Sequence, residues 1–224
     1  MGLAKNRDQE SVYGNYERVY AVPNDVWEKE HAEKQYEIFY GNEAFVVSGL
    51  HCYAIRIEII YDWIRKLGAK KILEVGSGRG KNLVALLRHD PNLDLTGLER
   101  SSEGVERSRE WGTKINFIQG DARKLPFADN SFDVAFTNQV LEQMPYDYGE
   151  VVREMKRVAR HCIFVEEFKE AQRLSDWLWV RHKDFFRESY KTLAENPIYF
   201  SSDIPRSKSK YGLGLLIIHG GSSK

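Results

Sequence analysis

The sequence has few cysteines, no excess charge of either sign and no long apolar run. Its two cysteines, Cys52 and Cys162, are too few for a disulfide framework or a cysteine-based metal site, so we expect both to be small buried side chains. The 33 basic and 33 acidic residues give a formal net charge of zero. This balance argues against a broad nucleic-acid-binding face, which needs basic charge, although a local patch remains compatible with it.

No apolar run approaches the length of a membrane span. Residues 1–6 lack the apolar stretch of a secretory signal. We therefore expect a soluble, cytoplasmic monomer or homodimer without a membrane partner. A length of 224 residues suits one α/β domain with a full core.

The most informative stretch is residues 71–82, Lys-Ile-Leu-Glu-Val-Gly-Ser-Gly-Arg-Gly-Lys-Asn. Its apolar run at 72–75 is typical of a strand buried on both faces, and 82–87 has the pattern of a one-sided helix. Three glycines lie between them at every second position: Gly76, Gly78 and Gly80. Glycine lets a ligand approach the main chain, and the N–H groups at a helix start favour a polar or anionic group. The stretch therefore predicts a backbone cradle for a ligand.

The glycine spacing differs from that of a dinucleotide-binding turn, which is G-x-G-x-x-G. Here it is G-x-G-x-G, and Glu74 lies two residues before the first glycine. This arrangement resembles motif I of the class I S-adenosylmethionine-dependent methyltransferases. The resemblance implies S-adenosyl-L-methionine as cofactor, with Glu74 near its methionine part and the glycines and Ser77 beneath it.

Two carboxylates follow later strands. Glu99 ends a strand over 94–98, where a carboxylate can accept hydrogen bonds from both ribose hydroxyls, as it also does in dinucleotide enzymes. Asp121 and Ala122 follow a strand over 116–119, and the resemblance implies that they bind the adenine through the carboxylate and a backbone N–H. Arg100 is included in the predicted cofactor site. The alternative role for Glu99 is that of a surface residue at a strand end, and the alternative for Asp121 is that of a turn residue.

Residues 120–145 contain Gly-Asp-Ala, Leu-Pro-Phe, Ser-Phe-Asp and Leu-Glu-Gln-Met-Pro in order. This series resembles the small-molecule methyltransferases related to the quinone-biosynthesis C-methyltransferases, and the match extends over about 71–168. It places Asn138 and Gln139 in the cofactor site. Gln143 departs from the pattern, because many relatives have histidine there. The Asn-Pro-Pro-Tyr motif of amide- and nucleobase-amine methyltransferases is absent after the fourth strand.

Alternating strands and helices predict βαβ units and a parallel sheet. The expected fold is a Rossmann-like α/β fold with a seven-stranded, mostly parallel sheet, an antiparallel C-terminal hairpin, flanking helices and an N-terminal helical lid. The predicted strands are 72–75, 94–98, 116–119, 132–137, 162–165, 198–200 and 213–219. The predicted helices include 24–40, 49–67, 82–87, 101–111, 148–159 and 171–194.

We divide the chain into an aromatic-rich lid segment, 1–50, and a methyltransferase domain, 51–224. Core packing is the alternative role for the lid aromatics. The lid holds nine carboxylates and five Lys or Arg, a difference of −4, which favours a neutral or cationic methyl acceptor. The predicted substrate-lining residues are Tyr20, Tyr36, His51, Gln143 and Tyr146.

A general base would accept a proton if the reaction releases one. His182 ranks first because it lies among the aromatics of 171–194, and His31 and His51 are further candidates. Each has an ordinary structural or surface role as its alternative. No metal is predicted.

The leading functional prediction is methyl transfer to an O, N or C atom of a small metabolite. One alternative is a protein or RNA methyltransferase. The other is a nicotinamide-dependent oxidoreductase or a non-catalytic nucleoside-binding module.

Overall fold

The computed structural model describes residues 20–40, 43–144, 147–169, 206–207 and 211–219. Its strands form one sheet with the order β2-β1-β8-β9-β7-β6-β3-β4-β5. The strands are β1 (Gln35–Tyr40), β2 (Glu43–Ser48), β3 (Lys71–Val75), β4 (Asp94–Glu99), β5 (Asn116–Gln119), β6 (Phe132–Asn138), β7 (Ala159–Lys169), β8 (Arg206–Ser207) and β9 (Tyr211–His219). The α-helices are α1 (Asn24–Glu33), α2 (Gly49–Lys66), α3 (Lys81–His89), α4 (Ser102–Arg109) and α5 (Tyr148–Val158), and Leu141–Gln143 forms a 3₁₀ turn.

Five strands, β3 to β7, run parallel, as their alternation with helices predicts. The central strand β3 is buried at every residue but its first, because helices cover both faces of a parallel sheet. The carboxyl ends of parallel strands meet at one edge of the sheet, where ligands bind in open α/β folds. The parallel, helix-flanked sheet of the prediction is confirmed.

The sheet separates two hydrophobic cores. On one face, α2 packs with α3 around Ile60, Ile64, Leu83 and Leu86, all almost fully buried. On the other, α5 presents its apolar stripe, and these four side chains are buried: Val151, Val152, Met155 and Val158. Cys162 is part of this second core, as expected, and burial raises the pKa of its thiol to about 12.

The N-terminal region differs from the prediction. The helix expected over 24–40 ends at Glu33, and the chain then forms the antiparallel hairpin β1–β2. Gln-Tyr-Glu-Ile-Phe-Tyr in β1 is rich in β-branched and aromatic residues, which favour strands once a partner is available. The second helix spans Gly49–Lys66, close to its predicted bounds.

The C-terminal strand β9 pairs antiparallel with β7, whereas the predicted hairpin of 198–200 with 213–219 stays a prediction. The short strand β8 joins β9 to β1, so the described part of the sheet has nine strands where the sequence predicts seven. The predicted strand 198–200 and helix 171–194 lie outside the described residues. No helix in the described part of the chain has the length and apolarity to cross a membrane.

Candidate functional site

The turn between β3 and α3 forms the centre of the site. All three of its glycines have positive φ: 76° at Gly76, 52° at Gly78 and 75° at Gly80. A Cβ at Gly76 would lie 2.6 Å from a methyl group of Val140, and one at Gly80 would lie 2.4 Å from the ring of Phe117. Backbone conformation and close packing therefore both require glycine here. We call residues 76–80 the glycine turn.

Glu74, at the carboxyl end of β3, is fully buried. Its Oε1 accepts a hydrogen bond from Asn82 Nδ2 at 2.6 Å, and its Oε2 has no hydrogen-bond partner among the described residues. Burial raises the pKa of Glu74 to about 8, with a smaller contribution from the charge of Glu99. The side chain is therefore a buried carboxyl group with one oxygen still available to a polar ligand.

Two further buried oxygens near these strand ends have no partner in the described part of the chain: Ser77 Oγ and Asn138 Oδ1. Leaving a buried polar atom unpaired costs about 1–3 kcal/mol, and most such atoms in native structures have partners. Together with Glu74 Oε2, they mark positions where a ligand with polar groups would satisfy the site. The Glu74 and Asn138 oxygens fit the amino and hydroxyl groups of a cofactor, which donate hydrogen bonds, and the Ser77 hydroxyl can also donate to a cofactor carboxylate.

Glu99 ends β4 beside the glycine turn and is 8% exposed. Its Oε2 accepts the backbone N–H of Gly78 at 2.8 Å, and its Oε1 accepts that of Ser101 at 2.9 Å. Each carboxylate oxygen can accept a further bond. Glu99 thus braces the turn and remains suited to the predicted contact with ribose hydroxyls.

Asp121 follows β5, as expected, but its carboxylate is already paired. Arg123 binds both carboxylate oxygens, with a shortest contact of 2.6 Å, and also reaches Asp147 at 3.3 Å. Hydrogen bonds from Arg123 lower the pKa of Asp121. Ala122 packs against the second core. Arg100 is exposed, and its carbonyl accepts a hydrogen bond from the Gln119 side chain.

The end of β6 lies at the same edge of the sheet. Gln139 has φ of 60°, which is uncommon for a residue other than glycine and costs of order 1–3 kcal/mol. Its backbone N–H donates to Val165 O at 2.8 Å, and its side chain accepts a hydrogen bond from Arg56 of α2. Gln143 is half-buried in the 3₁₀ turn beyond it. The α2 helix therefore contacts this side of the site directly.

Residues 20–28, called here the N-terminal segment, lie against the glycine turn. The Tyr20 hydroxyl would be 2.8 Å from a Cβ on Gly78. Arg79 Nη1 donates to Val22 O at 3.2 Å and to Asn24 Oδ1 at 3.1 Å. Arg107 Nε donates to Tyr20 O at 3.1 Å.

The roles of Arg79 and Arg107 were not predicted from the sequence. A charged residue between two motif glycines was the available signal for Arg79. Asn24 is the first residue of α1, at the start of the predicted helix, and no side chain caps this helix. The Asn24 amide instead joins Arg79 to Arg107.

The remaining predicted residues are placed only in part. Tyr36 lies in β1 and His51 in α2, and nothing is described of their side chains. Tyr146 and His182 lie outside the described residues. His31 stacks on Trp27 and its pKa is lowered by burial. Among the described side chains, no group of three His, Cys, Asp or Glu is arranged to hold a metal ion.

Comparison with known proteins agrees with this geometry. A family model described as a methyltransferase domain matches residues 73–162. The demethylmenaquinone methyltransferase of Thermotoga maritima is 35% identical over 104 residues, which cover 45% of this chain and 44% of that protein. The malonyl-[acyl-carrier protein] O-methyltransferase of Legionella pneumophila is 32% identical over 96 residues, 42% of this chain and 34% of the relative. The chain thus spans less than half the length of these two curated relatives.

Solved structures share the fold at lower identity. The [4+2]-cyclase SpnF has a TM-score of 0.65 at 18% identity, covering 83% of this chain and 87% of that one. A putative S-adenosyl-L-methionine-dependent methyltransferase from Methanococcus maripaludis has a TM-score of 0.59 at 18% identity, covering 78% and 88%. Residues 73–162, which contain the glycine turn and the strand-end carboxylates, are thus similar in sequence to a methyltransferase domain, and the fold is similar to that of these solved structures.

Proposed function

We propose that the protein transfers a methyl group from S-adenosyl-L-methionine to an O, N or C atom of a small-molecule metabolite. The proposal is carried by three buried oxygens that have no hydrogen-bond partner among the described residues, beside a turn whose backbone and packing require glycine: Glu74 Oε2, Ser77 Oγ and Asn138 Oδ1. A polar ligand would satisfy these groups, and the position of Glu99 beside the same turn supports the proposed ribose contact.

The bound cofactor supplies a methyl sulfonium, a methyl donor with a good leaving group. The residues of the chain have the tasks of binding, orientation and exclusion of water. Glu74 and Ser77 would hold the methionine part, Glu99 the ribose, and Asp121 with Ala122 the adenine. Holding donor and acceptor in line supplies a large share of the rate enhancement in such reactions.

The substrate contacts are proposed from the elements that border the strand ends. The N-terminal segment covers the glycine turn, and Arg56 of α2 reaches Gln139 from another direction. We therefore keep residues 1–50 as a lid segment and 51–224 as the catalytic domain. The proposed base is His182, and the proposed substrate-lining residues are Tyr20, Tyr36, His51, Gln143 and Tyr146.

Two curated relatives are named for demethylmenaquinone and malonyl-[acyl-carrier protein] as methyl acceptors. Their names support a metabolite acceptor over a nucleic acid, as does the balanced charge of the chain. The fold by itself is compatible with other chemistry, because function resides in sites and one fold neighbour is titled a cyclase. The test must therefore detect the transferred methyl group.

The experiment has two stages. In thermal melting, S-adenosylhomocysteine should raise the Tm of the protein, and NAD at the same concentration should leave the Tm unchanged. Incubation with cofactor labelled in the methyl group should then label a compound in a metabolite panel that includes quinones, phenols and acyl esters. Labelling of protein or RNA extracts alone would instead show that the methyl acceptor is a macromolecule. Absence of cofactor binding would refute it.

A further inference from the structure

We propose that Arg79 is a positioning residue that holds the N-terminal segment against the glycine turn, and that this contact slows release of the cofactor. The inference rests on the proposed function, which assigns the cofactor to this turn. It goes beyond that function because it assigns a role to a residue outside the predicted cofactor contacts. Arg79 acts through the segment, and the cofactor is not its partner.

Arg79 lies between two glycines of positive φ, so its backbone belongs to the turn itself. Its carbonyl accepts a hydrogen bond from Trp111 Nε1 at 2.7 Å, which fixes that backbone against the end of α4. Its side chain contacts the N-terminal segment and is nearly buried, at 5% exposure. A buried guanidinium is stable only with acceptors around it, and Val22 O and Asn24 Oδ1 supply two of them.

Asn24 connects this contact to α4. Its Oδ1 accepts from Arg79, and its Nδ2 donates to Arg107 O at 2.9 Å. Arg107 in turn donates to Tyr20 O at 3.1 Å and to Ala21 O at 3.4 Å. The N-terminal segment is therefore bonded to both the glycine turn and α4. It cannot move away from either without breaking this network.

Trp27 adds a second contact between the same parts. The Arg79 guanidinium lies 5.1 Å from the centre of its ring, and Lys81 Nζ lies 4.1 Å from it. Both distances are within the range of cation–π attraction. Glu28 also lies 3.7 Å from Lys81 Nζ. Two cations at the start of α3 thus bind an aromatic and an acidic residue of the segment.

The network keeps Tyr20 beside the glycine turn. Added Cβ atoms would lie 2.8 Å from its hydroxyl at Gly78 and 3.1 Å from its ring at Gly104. The position next to Gly104 is also where Glu99 Cγ packs. The Tyr20 ring therefore covers the part of the turn that Glu99 braces. Its apolar face and polar tip suit the boundary between a ligand and solvent.

The test is the dissociation rate of labelled S-adenosylhomocysteine from the full-length protein, measured by chase with unlabelled ligand. Arg79→Gln and Asn24→Ala each remove a bond of the network, and each should accelerate release about fivefold or more, the scale of one lost hydrogen bond. Arg79→Lys keeps the charge and a donor and should restore most of the slow release. Lys29→Ala, on an exposed position of α1, is the matched control and should release at the wild-type rate.

Tyr20→Ala identifies the group through which Arg79 acts. It should accelerate release to a similar degree, and adding Arg79→Gln to it should give little further change, since coupled residues are non-additive. A merely structural role for Arg79 would give additive effects in this pair. If Arg79→Gln fails to fold, Asn24→Ala decides the question, because its side chain lies outside the turn.

The possible outcomes distinguish the role of Arg79 from the proposed function. Folded variants that bind S-adenosylhomocysteine and release it at the wild-type rate would overturn the role of Arg79 and leave the proposed function in place. A wild-type protein that does not bind this ligand would overturn both.

Discussion

The backbone N–H of Gly78 donates to Glu99 Oε2 at 2.8 Å, which joins the glycine turn of β3 to the carboxylate that ends β4. The two residues are 21 positions apart in the sequence. Glu99 therefore has two tasks, since it stabilises the conformation of the turn and is presented to a ligand at the sheet edge. Substitution of Glu99 should change both folding and binding.

We predict that Glu99→Ala weakens S-adenosylhomocysteine binding by about 1.5–3 kcal/mol, the scale of hydrogen bonds to a charged group. It should also lower Tm, because the N–H groups of Gly78 and Ser101 lose their acceptor. Glu99→Gln keeps one acceptor oxygen, so its binding affinity and its Tm should both lie between those of wild type and Glu99→Ala. Calorimetric affinity equal to wild type in a folded Glu99→Ala protein would contradict the ribose assignment.

Asp121→Ala should weaken the same binding by less than Glu99→Ala does, because stacking on the adenine remains. Arg123 then keeps Asp147 as its carboxylate partner, so the fold should change little. Asp129→Ala is a suitable control, since Asp129 also pairs with an arginine but is 71% exposed and belongs to the loop held by Arg157. Equal affinity losses in the two aspartate variants, measured by calorimetry, would refute the adenine contact.

The buried Glu74 predicts a pH dependence of stability. Its pKa is about 8 in the folded protein against an ordinary value of 4.5, so between these values the folded state holds a proton that the unfolded state has lost. The free energy of unfolding should therefore fall as pH rises through this window, by up to about 1.4 kcal/mol per pH unit.

Denaturant titrations of wild type and Glu74→Gln from about pH 5 to about pH 9 isolate this contribution, because other groups titrate alike in both proteins. The difference between the two free energies should decline with rising pH and level off above about pH 8. A difference that is constant across this range would show that Glu74 is ionised in the folded protein.

His182 remains a prediction from the sequence, outside the described residues. If it is the base, His182→Ala should lower kcat by about 10²–10⁴-fold with unchanged S-adenosylhomocysteine affinity, and the pH–rate curve should lose its lower limb. His89→Ala is the control, because His89 pairs with Glu58 on the surface at the end of α3. Normal turnover in the His182→Ala variant would contradict the role of His182 as a base and leave it an ordinary structural or surface residue.

The central βα units could be read from the sequence because their signals are local. The apolar run of β3, the glycines after it and the one-sided pattern of α3 all lie within residues 71–89, and the structure has them in that order. Ser101 caps α4 where the sequence places a helix start, with its side chain accepting from Gly104 N at 3.0 Å. Strand ends in a parallel sheet share one edge, so Glu74, Glu99 and Asn138 could be grouped before their geometry was known.

Contacts between distant residues were decided by the tertiary structure. Residues 35–40 continue the sequence of α1 without a proline or glycine stop, yet they form a strand because β2 and β8 provide hydrogen-bond partners on either side. Asn24 has a cap residue's side chain and uses it on Arg79 and Arg107, which are 55 and 83 positions away. The sequence by itself determined the glycine turn and the parallel core, because hydrophobic periodicity and glycine spacing are signals carried by a few neighbouring residues. Only the tertiary structure decided what covers the turn, because the strength of a buried hydrogen bond or ion pair depends on which distant groups exclude water around it.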